Sequence, residues 1–193
     1  MASLDYAYRR LVNTLGPERV ARSEFERMVY SHDFASLPKI ALLQWKLYPD
    51  FVALPQTTEE VAALVKLSDE SLLQITPRGG GTGWYGGSVP NRGGVLIDMR
   101  KMNHIVKFDP DGRTVTVEAG ATWKDLEDFV ESKGFTLPIV PMNAIGSTVG
   151  GAIITPDGSG ITMFLVALPM LALYVVGYGA AVRVEHARAR AKT

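Results

Sequence analysis

Gln74-Ile75-Thr76-Pro77-Arg78-Gly79-Gly80-Gly81-Thr82-Gly83 is a short strand that runs straight into a glycine-rich loop, and the loop continues as Gly86-Gly87-Ser88-Val89-Pro90 and Gly93-Gly94. Eight of the 19 glycines fall between Gly79 and Gly94, so this segment exposes successive backbone N–H groups and can take positive φ at little steric cost. Several such dipoles converging on one concavity hold an anion without burying an unpaired charge. A glycine cluster alone can equally be a tight surface turn. Here the strand leading in and Arg78 at the mouth favour an anion cradle.

Two familiar phosphate loops are excluded. Gly81, Gly83 and Gly86 fit G-x-G-x-x-G, but that fingerprint needs a helix starting inside it. Gly87-Ser88-Val89-Pro90-Asn91-Arg92-Gly93-Gly94 cannot continue as one. A Walker A loop fails for want of a Gly-Lys-Ser or Gly-Lys-Thr end.

Around the loop the chain alternates helices and strands. Residues 1–48 form a mostly helical segment, with Leu4, Tyr8, Leu11 and Leu15 at helical spacing and a second helix over residues 23–30. Residues 51–54 predict a strand, and Thr57 with Glu60 predicts a capping box opening a helix striped by Val61, Leu64, Val65 and Ser68. Residues 95–98 form the next strand. The turn Asp109-Pro110-Asp111-Gly112 joins a hairpin whose second arm alternates Val115 and Val117 with Thr114 and Thr116. Trp123, Leu126 and Phe129 line a further helix that Gly134 ends. The expected class is α+β with a mixed sheet: the helical N-terminal segment, a domain over 49–160, and an apolar tail with a basic end over 161–193.

Composition narrows the chemistry. The 193 residues carry 20 basic and 20 acidic side chains, a balance that gives no reason to expect nucleic acid. With no cysteine, disulfides, thiolate metal sites and a cysteine nucleophile are excluded, and His32, His104 and His186 are too scattered for a metal. Met1 to Arg10 has no apolar signal segment, so the expected compartment is the cytoplasm. Residues 161–182 hold no charge and are followed by Arg183, Arg188, Arg190 and Lys192. Three readings of 161–193 stand side by side: a truncated or frame-shifted end, a single membrane anchor with its basic flank on the cytoplasmic side, or a buried core element. The anchor would make the protein membrane-associated.

In chain order, the 77–83 loop, Gly86-Gly87-Ser88-Val89-Pro90, Gly93-Gly94-Val95, Asp98-Met99, Met102-Asn103, Val115-Thr116-Val117-Glu118-Ala119-Gly120 and Ser147-Thr148-Val149-Gly150-Gly151 resemble the FAD-binding (PCMH-type) domain of the vanillyl-alcohol oxidase / p-cresol methylhydroxylase family. The resemblance covers roughly residues 20–160 and is strongest to the glycolate oxidase subunit / D-lactate dehydrogenase branch, whose entry segment Tyr30-Ser31-His32-Asp33 also resembles. It implies that Arg78, Gly79, Gly80, Gly81, Thr82, Gly83, Gly87 and Ser88 form the FAD pyrophosphate cradle. Pro141, Gly146, Ser147, Thr148, Gly150 and Gly151 would form a second FAD-contacting loop. Members that attach flavin covalently through the first loop carry a histidine where Thr82 stands, so non-covalent FAD is expected. The implied reaction is oxidation of a 2-hydroxy acid with hydride transfer to flavin, alongside an electron-transfer partner subunit in the full-length family. The family's cap domain, which supplies substrate-binding arginine and histidines, is not recognisable here, so no catalytic residue is assigned and the chain is expected to be a fragment. The competing expectation is a membrane-anchored, non-catalytic flavin- or nucleotide-binding module.

Overall fold

The computed structural model describes residues 4–154, apart from Pro38 and Tyr85. The expectations for 161–193 therefore lie outside the described residues. Among the described residues, no helix is long and apolar enough to cross a membrane.

Helix α1, Leu4–Leu15, buries Ala7, Leu11 and Leu15, one face at four-residue spacing, and stacks Tyr8 on Phe51 with ring centroids 5.9 Å apart. A 3-10 turn at Pro17–Arg19 leads into strand β1, Val20–Ala21. Helix α2, Glu24–Val29, opens on a capping box of Ser23 and Glu26, and α3, Lys39–Gln44, follows. The segment expected to be mostly helical thus also carries a strand. Strand β2, Phe51–Ala53, helix α4, Thr58–Glu70, strand β3, Ile75–Arg78, and strand β4, Val95–Asp98, form the body of the domain. A hairpin of β5, Ile105–Asp109, and β6, Thr114–Val117, precedes helices α5, Trp123–Ser132, and α6, Val149–Ile154.

The sheet runs β1-β2-β4-β3, with β2, β4 and β3 parallel and β1 antiparallel to β2. It is the mixed sheet of an α+β fold. All four residues of β4 are buried, as expected of a central parallel strand covered on both faces. Leu11 and Leu15 of α1 meet Leu64 and Leu67 of α4 over Phe51, Val95 and Ile97 in a single core. Because β3 and β4 are parallel neighbours, residues 79–94 must carry the chain from the carboxyl end of one to the amino end of the other. They do so without a helix, as the sequence of that stretch requires.

Two details depart from the sequence-level expectation. Val65 is exposed, and the face α4 turns inward is Leu64, Leu67 and Ser68. Thr57 does accept the Glu60 N–H at 3.2 Å, but the Glu60 carboxylate does not return to the Thr57 backbone. Arg19 takes it at 2.7 Å, and the Gln56 N–H donates to the same oxygen at 2.7 Å. The Gln56 N–H and a guanidinium supplied by the turn before β1 together hold the carboxylate away from the Thr57 backbone.

Leu64 is fully buried, so Leu64→Ala should lower unfolding free energy by about 2–5 kcal/mol in a urea melt. Burial pushes the Glu60 pKa up, but the Gln56 N–H and the Arg19 guanidinium outweigh it and hold it below the usual carboxylate value. A depressed carboxylate stabilises the fold above its unfolded pKa and loses that contribution as pH falls through the folded one. Glu60→Gln should therefore be less stable than the wild type at neutral pH, and the gap should narrow from about pH 4.3 downward in parallel melts.

Candidate functional site

Strand β3 delivers Arg78 to the carboxyl edge of the sheet, level with Asp98 of β4, and the glycine loop begins at the next residue. Gly81 has φ of +67°, a conformation that a side chain disfavours. The N–H groups of residues 79–83 make no hydrogen bond with any described residue. They border an open cleft of about 640 Å³, including the solvent at its mouth, whose opposite wall is the segment 143–151.

The two walls meet through backbone. A Cβ on Gly80 would overlap the carbonyl oxygen of Gly146, so only glycine allows this approach. The second wall spends its donors within the protein, two on its own turn and two on docking. The N–H groups of Gly146 and Ser147 bond the Asn143 carbonyl at 3.0 and 2.9 Å, and those of Val149 and Gly150 bond Ala121 and Ala119 at 2.8 and 2.9 Å. The Trp123 N–H at the start of α5 donates to the Ser147 carbonyl at 3.1 Å, and Thr122 pairs with Thr148 as an isolated antiparallel bridge. Buried Thr148 turns its hydroxyl oxygen to the Gly151 N–H at 3.1 Å. Ser147 is buried against the cleft, and among the described residues neither its hydroxyl nor the Asn143 side chain is hydrogen-bonded.

Of the residues expected at the site, Gly79, Gly80, Gly81, Thr82, Gly83, Ser88, Ser147, Thr148 and Gly151 line this cleft. Arg78, Gly87, Pro141, Gly146 and Gly150 do not. Gly146 and Gly150 sit behind the lining, with their N–H groups engaged within the protein, and the Pro141 carbonyl accepts from Ala144 at 3.0 Å. Two lining residues escaped the sequence reading. Trp84 stands 70% exposed at the cleft, tilted on Phe34 at 6.0 Å. An indole placed directly after a glycine run was the available signal for it. Asn143 lies in an irregular loop and gave none.

Behind the loop is a compact charge network. Asp98, 1% exposed, accepts from the Tyr30 hydroxyl at 2.9 Å and from the Arg100 guanidinium at 2.7 Å. Hydrogen bonding to Asp98 raises the Arg100 pKa, while burial, then the Asp98 charge, raises that of Tyr30. Burial lowers the pKa of Arg78, against the opposing pull of Asp98 and Asp33. His104 lies away from the site, with Nδ1 2.7 Å from Glu118 Oε2 at the hairpin.

Comparison with known proteins agrees with this architecture. A protein-family model described as an FAD binding domain matches residues 49–164. The glycolate oxidase subunit GlcD of Bacillus subtilis (strain 168) is 35% identical over 144 residues, 75% of this chain and 29% of that protein. A D-lactate dehydrogenase of Anaerostipes hadrus is 33% identical over 144 residues, with the same two shares. The chain thus spans under a third of the length of these curated relatives. Among solved structures, p-cresol methylhydroxylase with substrate bound superposes with a TM-score of 0.60 at 25% identity, over 71% of this chain and 26% of that one. A family match across more than half the chain, on a fold that places the glycine loop and the Ser147 loop face to face, shows that the chain belongs to the FAD-binding domain family of the vanillyl-alcohol oxidase / p-cresol methylhydroxylase flavoenzymes.

Proposed function

We propose that this chain holds FAD non-covalently in the cleft between residues 79–83 and 143–151, as the cofactor wall of an oxidoreductase acting on a 2-hydroxy acid of the glycolate or D-lactate type. The observation that carries the reading is the run of backbone N–H groups at 79–83, left without a partner among the described residues and bordering the cleft. Oriented N–H dipoles, most of them with no Cβ to obstruct them, suit a diphosphate. Gly79, Gly80, Gly81, Thr82 and Gly83 would hold the diphosphate, with Gly87 and Ser88 closing that side of the cradle. Ser147, with its unbonded hydroxyl, would contact the cofactor from the facing wall, supported by Thr148, Gly150 and Gly151. Pro141 and Gly146 shape that wall.

Bound there, FAD would supply the two-electron redox chemistry that these side chains lack. The chain's own part is to bind and orient it. Thr82 and the absence of a histidine among the described cleft-lining residues support non-covalent attachment. The similarity to proteins named glycolate oxidase and D-lactate dehydrogenase supports the substrate class. The groups that would grip substrate are not assigned to this chain.

The full chain, incubated with FAD and desalted, should retain visible flavin absorbance, and acid precipitation should release all of that flavin into the supernatant. Flavin lost on desalting from protein with native circular dichroism would overturn binding. Flavin pelleting with the protein would overturn the non-covalent reading. Gly80→Ala should push the two walls apart, cost about 1–3 kcal/mol of stability by overpacking, and weaken flavin retention at least tenfold or so. Urea melts and flavin fluorescence titration check the two parts separately.

A further inference from the structure

The glycine loop holds one turn by itself, through the Val89 N–H on the Gly86 carbonyl at 3.1 Å, and relies on other segments for the rest. Bonds that fix it come from segment 30–35, which precedes it by some forty residues and runs alongside it. The Phe34 N–H donates to the Gly83 carbonyl at 3.1 Å, and Phe34 also packs on Trp84. Ser88 donates its hydroxyl to Asp33 Oδ2 at 3.1 Å, and Asp33 is 8% exposed. Arg78 joins the pieces. One of its terminal nitrogens, Nη1, donates to the His32 carbonyl at 2.8 Å and to the Ser88 carbonyl at 3.4 Å. Its guanidinium lies over the Tyr30 ring, 5.5 Å from the centroid. A Cβ on Gly81 would strike that guanidinium, so the turn at Gly81 is wrapped directly against it.

Arg78 does not line the cleft. It borders a smaller adjoining cavity with Pro77, Met99, Ala119 and Gly150, divided from the cleft by Gly79 and Gly151, which line both. The charges of Asp98 and Asp33 favour its protonated form, with Arg100 opposing.

We propose that Arg78 is a positioning residue that holds the cradle in shape from behind, tying residues 30–33 to the start of the glycine loop and to Ser88, and is not itself a ligand of the bound anion. The inference rests on the flavin reading of the cleft for its binding arm and on geometry alone for its structural one.

The test compares the wild-type chain with Arg78→Met and Arg78→Lys. Lysine keeps the charge but not the planar stack on Tyr30 or the reach of the guanidinium. In FAD-free protein, both variants should lose hydrogen-exchange protection at the Phe34 and Val89 amides, which bond the Gly83 and Gly86 carbonyls, while the Val95 amide keeps its protection. FAD affinity, read by flavin fluorescence, should fall about ten- to a hundredfold in both, by the same factor at low and high salt. Unchanged exchange at Phe34 and Val89 would overturn the proposal. So would wild-type affinity in Arg78→Lys together with a salt-sensitive loss in Arg78→Met, the mark of a charge acting on the anion. A wild type that binds no FAD would defeat the flavin reading alone, and the exchange result would still decide the role of Arg78. Should Arg78→Met fail to fold, Arg78→Lys carries the same comparison.

Discussion

The cleft depends on one close approach, the backbone of Gly80 against the carbonyl of Gly146, where no side chain could fit. Everything on either side is arranged to let that contact form. On one side, β3 ends at Arg78 with its register fixed by β4, so the loop leaves the sheet at a set height. On the other, the segment 146–150 is docked on residues 119–123 by paired backbone bonds, which bring Gly146 to the meeting point. The α1–α4 core under the sheet sets the position of β3 and β4, and so of the whole first wall.

The division of hydrogen bonds between the two walls follows from this docking. The wall at 146–150 uses its donors on its own turn at Asn143 and on docking to Ala119 and Ala121, and has side chains left for the cleft. The wall at 79–83 keeps its donors, because segment 30–35 and Arg78 fix it through carbonyls and side chains instead. Full charges are kept behind the loop, where Asp98 pairs with Arg100 and Tyr30, and Asp33 engages Ser88. An anion entering the cleft would meet dipoles in front and a compensated charge network behind.

Much of this was legible in the sequence where a local rule had no competitor. The helix of Leu4, Leu11 and Leu15, the Asp109–Gly112 turn between β5 and β6, and the helix-free run after Gly86 follow from spacing and turn chemistry alone. The two glycine-rich walls stood out because missing side chains are visible in a sequence. What escaped notice depends on partners distant in the chain. Glu60 satisfies the capping rule until Arg19, 41 residues earlier, joins the Gln56 N–H in holding its carboxylate. Arg78 at the mouth of a glycine loop suggests an anion ligand, and only its tertiary contacts to His32, Ser88 and Tyr30 show where the guanidinium points. Trp84 and Asn143 join the cleft because two separate loops converge, and no periodicity records that.

Glycine gives such a cradle its accessible N–H groups and its positive φ, and it also gives it the greatest conformational freedom to lose. A floppy loop would forfeit on ordering much of what charge-assisted hydrogen bonds contribute, since immobilisation is subtracted from binding free energy. The free N–H groups cannot be tied down directly, because a bonded donor is a donor lost to the ligand. The remaining handles are the carbonyls and the few side chains, and those are the groups engaged: the Gly83 carbonyl by Phe34, the Ser88 carbonyl by Arg78, and the Ser88 hydroxyl by Asp33. Holding a glycine loop by its acceptors is the arrangement that keeps it both ordered and reactive toward an anion.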